Sequence, residues 1–142
     1  MKTLINPGII VSTVTLLASY LALSGCAQQK MQRYGSVIGL KSEKIEEYKR
    51  LHADVWPDVL KMIEQCNIHN YSIYLGELEQ GNYYLFSYFE YVGDDFETDM
   101  KNMADDPETQ RWWALMGPMQ DPLPDRAEGE WWAEMDEVFH AD

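Results

Sequence analysis

Two aromatic, β-branched runs constrain this chain more than anything else in it. Ile68 to Leu78 (IHNYSIYLGEL) and Asn82 to Val92 (NYYLFSYFEYV) are separated only by Gln80-Gly81-Asn82 turn chemistry. Tyrosine, phenylalanine and isoleucine favour strands, and so short a polar break predicts a β-hairpin. Alternation along the first run places His69, Tyr71, Ile73 and Leu75 on one face. Tyr71, Tyr74, Tyr83, Tyr84, Phe86, Tyr88, Phe89 and Tyr91 are too many large rings for both faces to stay wet. One face must meet helices, and sheet-to-sheet dimerisation is the simple cover for the other.

The rest of the chain supplies the flanking elements. Arg33 to Leu40 (RYGSVIGL) reads as a first strand. Ser42 is a good N-cap for a helix with Ile45, Tyr48, Leu51, His52 and Val55 on one face. Pro57 removes a backbone donor and disfavours helical geometry at Trp56, so a kink is expected there, or a restart with Pro57 at the first helical position. Val59, Leu60, Ile63 and Cys66 continue the apolar face. Asp94 to Asp106 predicts an acidic helix, and Pro107 opens another (PETQRWWALMGPM), followed by an irregular stretch with Pro118, Pro122 and Pro124. Glu134 to His140 (EMDEVFH) predicts a last strand. Strand, helix, strand, strand, helix, strand is the order of a ferredoxin-like α+β fold, a four-stranded antiparallel sheet with helices on one face.

The beginning of the chain has another character. Lys2 precedes a mostly apolar run from Ile9 to Leu23 that closes on Leu23-Ser24-Gly25-Cys26. That run is shorter than the roughly 20 residues of a membrane-spanning helix, so residues 1–25 are expected to be an export signal. The ending resembles the bacterial lipobox, which implies lipidation of Cys26 with palmitate-type chains, anchoring in the cell envelope and a tether over 26–32. One domain, 33–142, remains. With Cys26 lipidated, Cys66 has no disulfide partner and is expected as a small buried hydrophobe. The net charge of −13 argues against nucleic acid, whose phosphates need basic neutralisation.

Chemistry is concentrated on the first helix. Tyr48 and His52 lie four residues apart, hence one above the other on a helical face. Histidine both takes and gives protons near neutrality. Trp112 and Trp113 offer apolar surface for a pyranose ring, and Arg111 adjoins them. No H-E-x-x-H or similar metal spacing, nucleophile elbow or glycine-rich phosphate loop is present.

EEYKRLHADVWPDV, HNYSIYL, ETQRWWALM and the terminal EVFH together resemble the L-rhamnose mutarotase family, in order and across nearly the whole domain after the leader. The resemblance implies a dimeric ferredoxin-like fold and no cofactor or metal. It places a general acid at His52 and sugar contacts at Tyr48, Tyr71, Trp112 and Trp113. The segment from Asp121 to Trp132 is longer than the family pattern and is expected to add a wall to the site.

Three functions follow. Export separates the chain from the cytoplasmic isomerase that a mutarotase normally serves. This favours elimination of water at a uronic acid of a rhamnose-uronate oligosaccharide, a dehydratase in polysaccharide degradation, with His52 and Tyr71 as acid and base. Arg111 is the candidate for the uronate carboxylate. The alternatives are anomer interconversion of L-rhamnose and a non-catalytic tethered sugar-binding module.

Overall fold

A computed structural model describes residues 31–141. The expected export signal, Cys26 and most of the tether lie outside the described residues, and the first strand begins at Gln32, inside the expected tether.

Strand β1 (Gln32–Leu40) is followed by one turn of 3-10 helix (Ser42–Lys44) and by helix α1 (Ile45–His52). The chain leaves helical geometry at Ala53-Asp54 and restarts as α2 (Pro57–Gln65). Trp56 takes extended backbone angles, φ −58° and ψ 133°, as a residue before proline prefers. Pro57 then opens the new helix at its first turn, where a missing N–H costs nothing. The result is a full break between two helices, the second of the two outcomes expected from the sequence.

Strands β2 (Ile68–Glu79) and β3 (Asn82–Tyr91) form the hairpin. Gly81 closes it with φ +84°, a left-handed conformation that glycine adopts without strain. Helices α3 (Phe96–Asp105) and α4 (Pro107–Met116) follow, each capped by an aspartate. Asp95 accepts from the Thr98 amide at 3.1 Å and Asp106 from the Thr109 amide at 2.8 Å.

The antiparallel sheet runs β2-β3-β1, the ferredoxin-like arrangement. Its fourth position is split between two short pieces on the free edge of β1. Strand β4 (Gln120–Asp121) pairs with Gly39 and Leu40, and β5 (Ala133–Met135) pairs with Gly35 to Val37. A side chain at position 39 would meet the Asp121 carbonyl oxygen at 2.6 Å, so glycine lets β4 approach. The expected strand Glu134–His140 is thus shorter and displaced. Beyond Met135 no strand forms, and Val138 and Phe139 are 93% and 81% exposed.

The core sits between one sheet face and the helices. Ile38, Leu40 and Leu85 from the strands meet Tyr48, Val59, Trp112, Met116 and Met119. Cys66 is buried at the end of α2 and donates to the Met62 sulfur at 3.6 Å. The opposite sheet face carries Tyr74, Tyr84, Phe86 and Tyr88, with Tyr74 well exposed.

Candidate active site

A cavity of about 610 Å³ opens between the helices and the sheet, within the size range of small-molecule sites. Its walls are largely apolar: Val59 and Ile63 from α2, Ile73 and Leu85 from the hairpin, Met100 and Met103 from α3. Polar groups gather where α1 meets β2.

His52 ends α1. Its Nδ1 lies 3.0 Å from the Tyr48 carbonyl oxygen one turn earlier. A carbonyl only accepts, so Nδ1 carries the proton and Nε2 keeps its lone pair. Burial lowers the His52 pKa, against a smaller opposing effect of that backbone hydrogen bond. The ring is therefore neutral near pH 7. It stacks on Tyr48, with ring centres 4.1 Å apart, and meets the edge of Trp112 at 5.4 Å.

Tyr48 is 5% exposed. Burial pushes its hydroxyl pKa far up, the neighbouring Tyr71 phenol adds to the rise, and a hydrogen bond from the Gln120 side chain opposes it. The two phenols therefore share one corner of the cavity. Tyr71 arrives there through a β-bulge. His69 pairs with Glu90 and Ser72 with Tyr88, so Asn70 and Tyr71 together oppose Phe89. Asn70 absorbs the extra residue at φ +49°, a left-handed angle that asparagine tolerates. The bulge corrects the simple alternation: Tyr71, Ile73 and Leu75 line the cavity, whereas the exposed His69 faces the other way. Tyr71 as a whole is 44% exposed, yet burial still raises its hydroxyl pKa.

The tryptophan pair divides its labour. Trp112, 6% exposed, is a back wall packed edge-on against His52 and Trp56. Trp113, 47% exposed, stands at the rim. Arg111 is placed elsewhere than expected. Its Nη1 bonds Glu108 at 2.6 Å and its guanidinium covers the Trp56 ring at 5.2 Å, so it braces the outside of the tryptophan cluster and does not line the cavity. A different cation, Lys49, reaches the cavity wall, loosely paired with Glu46 at 3.4 Å.

Sequence reasoning did not single out Gln120. It is buried beside Tyr48, and its Oε1 accepts from Trp131 Nε1 at 2.7 Å. The only signal was the unusual length of the Asp121–Trp132 segment, which says nothing of where a tryptophan eleven residues away comes to rest. Among the described residues no cluster of His, Cys, Asp or Glu could hold a metal ion, and no helix is long and apolar enough to cross a membrane.

Such a fold and cavity define a class: ferredoxin-like α+β proteins with an apolar, sugar-sized site carrying one histidine and two phenols. Comparison names the family within it. The sequence pattern of L-rhamnose mutarotase matches residues 33–141, and the chain belongs to that family. It is 39% identical to L-rhamnose mutarotase of Bacillus subtilis over 63% of this chain and 80% of the relative. It is 32% identical to that of Oceanobacillus iheyensis over 79% of this chain and the whole of the relative. A crystal structure of L-rhamnose mutarotase FA22100 from Formosa agariphila shares the fold, with TM-score 0.58 at 22% identity over 78% of this chain and 99% of that one.

Proposed function

We propose that this protein interconverts the anomers of L-rhamnose, or of a saccharide ending in it. The observation that carries the reading is the neutral His52 in the cavity wall, with Nδ1 tied to the backbone and Nε2 left as the acceptor. In ring opening, Nε2 takes the proton of the anomeric hydroxyl as the C1–O5 bond breaks, and a phenol gives a proton to the ring oxygen. C1–C2 rotation exposes the other aldehyde face. Closure returns both protons, so His52, a base in opening, is the acid in closure. Trp113 covers an apolar face of the sugar at the rim.

Elimination at a uronate gives way to this reading. A carboxylate in an apolar cavity needs a cation; Arg111 is held by Glu108 and Trp56 outside it, and Lys49, which reaches the wall, is paired with Glu46. The relatives named above are rhamnose mutarotases. We keep the exported, lipid-anchored location as part of the proposal, on the Leu23-to-Cys26 ending. The homodimer also remains a proposal, on the aromatic outer face of the sheet.

Saturation-transfer NMR on L-rhamnose tests the activity, because exchange between anomer resonances rises above the spontaneous rate only with catalysis. Unchanged exchange at micromolar protein would refute it. Saturable binding without any exchange would support the tethered binding module instead. Loss of one water from a rhamnose-uronate oligosaccharide, with new enoate absorbance, would restore the elimination reading.

A further inference from the structure

Helix α4 brings a third group to the cavity beside the two tryptophans. Thr109, Trp112 and Trp113, spaced i, i+3 and i+4, share one side of that helix, and all three line the cavity. Trp112 meets His52 edge-on at 5.4 Å. Thr109 lies one helical turn toward the start of α4, where Met100 and Met103 of α3 also form the wall. It is 2% exposed. Asp106 accepts from its amide at 2.8 Å, yet its hydroxyl, shut from water, meets no hydrogen-bond partner among the described residues. A buried hydroxyl without a partner destabilises a fold, so this one calls for a reason. Apart from Tyr48 and Tyr71, Thr109 holds the only hydroxyl in the cavity lining among the described residues. The two branches of threonine differ little in size, and in a helix the side chain takes two rotamers, so a turn about χ1 presents the hydroxyl to the cavity.

We propose that Thr109 is a specificity-determining residue that hydrogen-bonds O4 of a 6-deoxyhexose, with the neighbouring C6 methyl set against Met100 and Met103. This rests on the anomer-exchange reading above and orients the sugar within it. His52 Nε2 needs the anomeric hydroxyl, which fixes C1 at the α1 corner of the cavity. C4 lies across a pyranose ring from C1, and C5, which bears the methyl, is its neighbour. The edge of L-rhamnose opposite the reacting carbon therefore offers one hydroxyl beside one methyl. The Thr109 end of the cavity offers one hydroxyl beside two methionines. Binding gives the orphaned hydroxyl its partner. A hexose with a hydroxyl on C6 would have to bury that group against thioethers and methylenes, without a hydrogen bond.

The test compares Thr109→Val, which removes the hydroxyl at nearly constant shape, with Thr109→Ser, which keeps it, both in the full-length chain. NMR follows anomer exchange of L-rhamnose, of its 4-deoxy analogue and of L-mannose, the same sugar with a hydroxyl on C6. A thermal melt follows folding. Thr109→Val is expected to raise KM for L-rhamnose about tenfold with kcat within about twofold, the pattern of binding shared by ground and transition states. Its melt should not fall, because a methyl group replaces an unpartnered buried hydroxyl. Thr109→Ser should keep KM within about threefold. On the 4-deoxy sugar the wild type and Thr109→Val should behave alike, because the bond that separates them is gone. L-mannose should show kcat/KM about 10- to 100-fold below L-rhamnose in the wild type. Wild-type KM in folded Thr109→Val would overturn the proposal, and with a lowered melt it would give the hydroxyl to a buried water. A tenfold gap that persists on the 4-deoxy sugar, or parity of L-mannose with L-rhamnose, would overturn the orientation. If Thr109→Val fails to fold, the wild type on the 4-deoxy sugar carries the test, and an unchanged KM there is the refuting result. A wild-type protein without anomer exchange would remove the parent reading and this one together, whereas an active wild type indifferent to Thr109→Val removes this one alone.

Discussion

His52 Nδ1 donates to the carbonyl oxygen of Tyr48 across a single helical turn, at 3.0 Å. One bond between two members of the site fixes the imidazole tautomer and ring plane before any ligand arrives. It also explains why the two residues are spaced by four: the carbonyl that orients the histidine belongs to the tyrosine that works beside it.

Removing that imidazole should remove the chemistry and little else. His52→Ala is expected to lower kcat for anomer exchange about 100-fold or more, within the range for a positioned general base. Its melting temperature should fall only slightly. Saturation-transfer NMR with a thermal melt checks both, and near-wild-type exchange in the variant would mean that another group moves the proton.

The pH dependence has a definite sign. Burial holds His52 below the ordinary histidine value of 6.5, so the neutral, proton-accepting form persists into mild acid. The acid limb of kcat/KM should therefore lie below pH 6.5, and an acid limb above it would contradict the geometry. Stability follows the same linkage. The unfolded chain binds the proton more tightly, so this contribution is fully present above the unfolded pKa and is lost as pH falls from there to the folded one.

The two tryptophans should separate binding from folding. Trp113→Ala removes a half-exposed rim surface and is expected to raise KM about five- to tenfold with an unchanged melt. Trp112→Ala empties a buried wall and should cost about 3–5 kcal/mol of stability. Denaturant titration beside rate measurements distinguishes them, and an equal loss of stability in both variants would be the wrong pattern.

The outer sheet face predicts an assembly. Tyr74, at 64% exposure, lies on an aromatic strip with Phe86 and Tyr88 that a single chain leaves wet. Sedimentation should find a dimer, and Tyr74→Lys should shift it toward monomer without unfolding it. A wild-type protein that sediments as a monomer at all concentrations would leave that strip to some other cover.

Cys26→Ala tests the address. Fatty-acid label on the wild-type protein, and its recovery in the membrane fraction, should both disappear in the variant. An unlabelled wild-type protein would remove the anchor from the proposal.

Much of the fold was legible because local rules wrote it. Pro57 ended one helix and opened the next for reasons contained in its own ring and its effect on Trp56. The Gly81 turn and the ring-rich strands announced the hairpin in the same way. Where the reading slipped, a distant contact had intervened. Alternation put His69 beside Tyr71, but a bulge at Asn70 against Phe89 turned Tyr71 alone toward the cavity. Glu134 to His140 carried the right residues for a strand, yet its pairing with β1 stops at Met135, although β1 itself runs on to Gln32.

The sequence by itself determined the order of elements as far as α4, the histidine-phenol pair on one helical face and the family. These depend on residue types at fixed short spacings. Tertiary structure alone decided that Arg111 is spent on Glu108 and Trp56, that Tyr71 joins Tyr48, and that Trp131 returns to hold Gln120 behind the site. Each is an encounter set by how the surrounding elements pack, and neither residue type nor spacing encodes which donor will meet which acceptor.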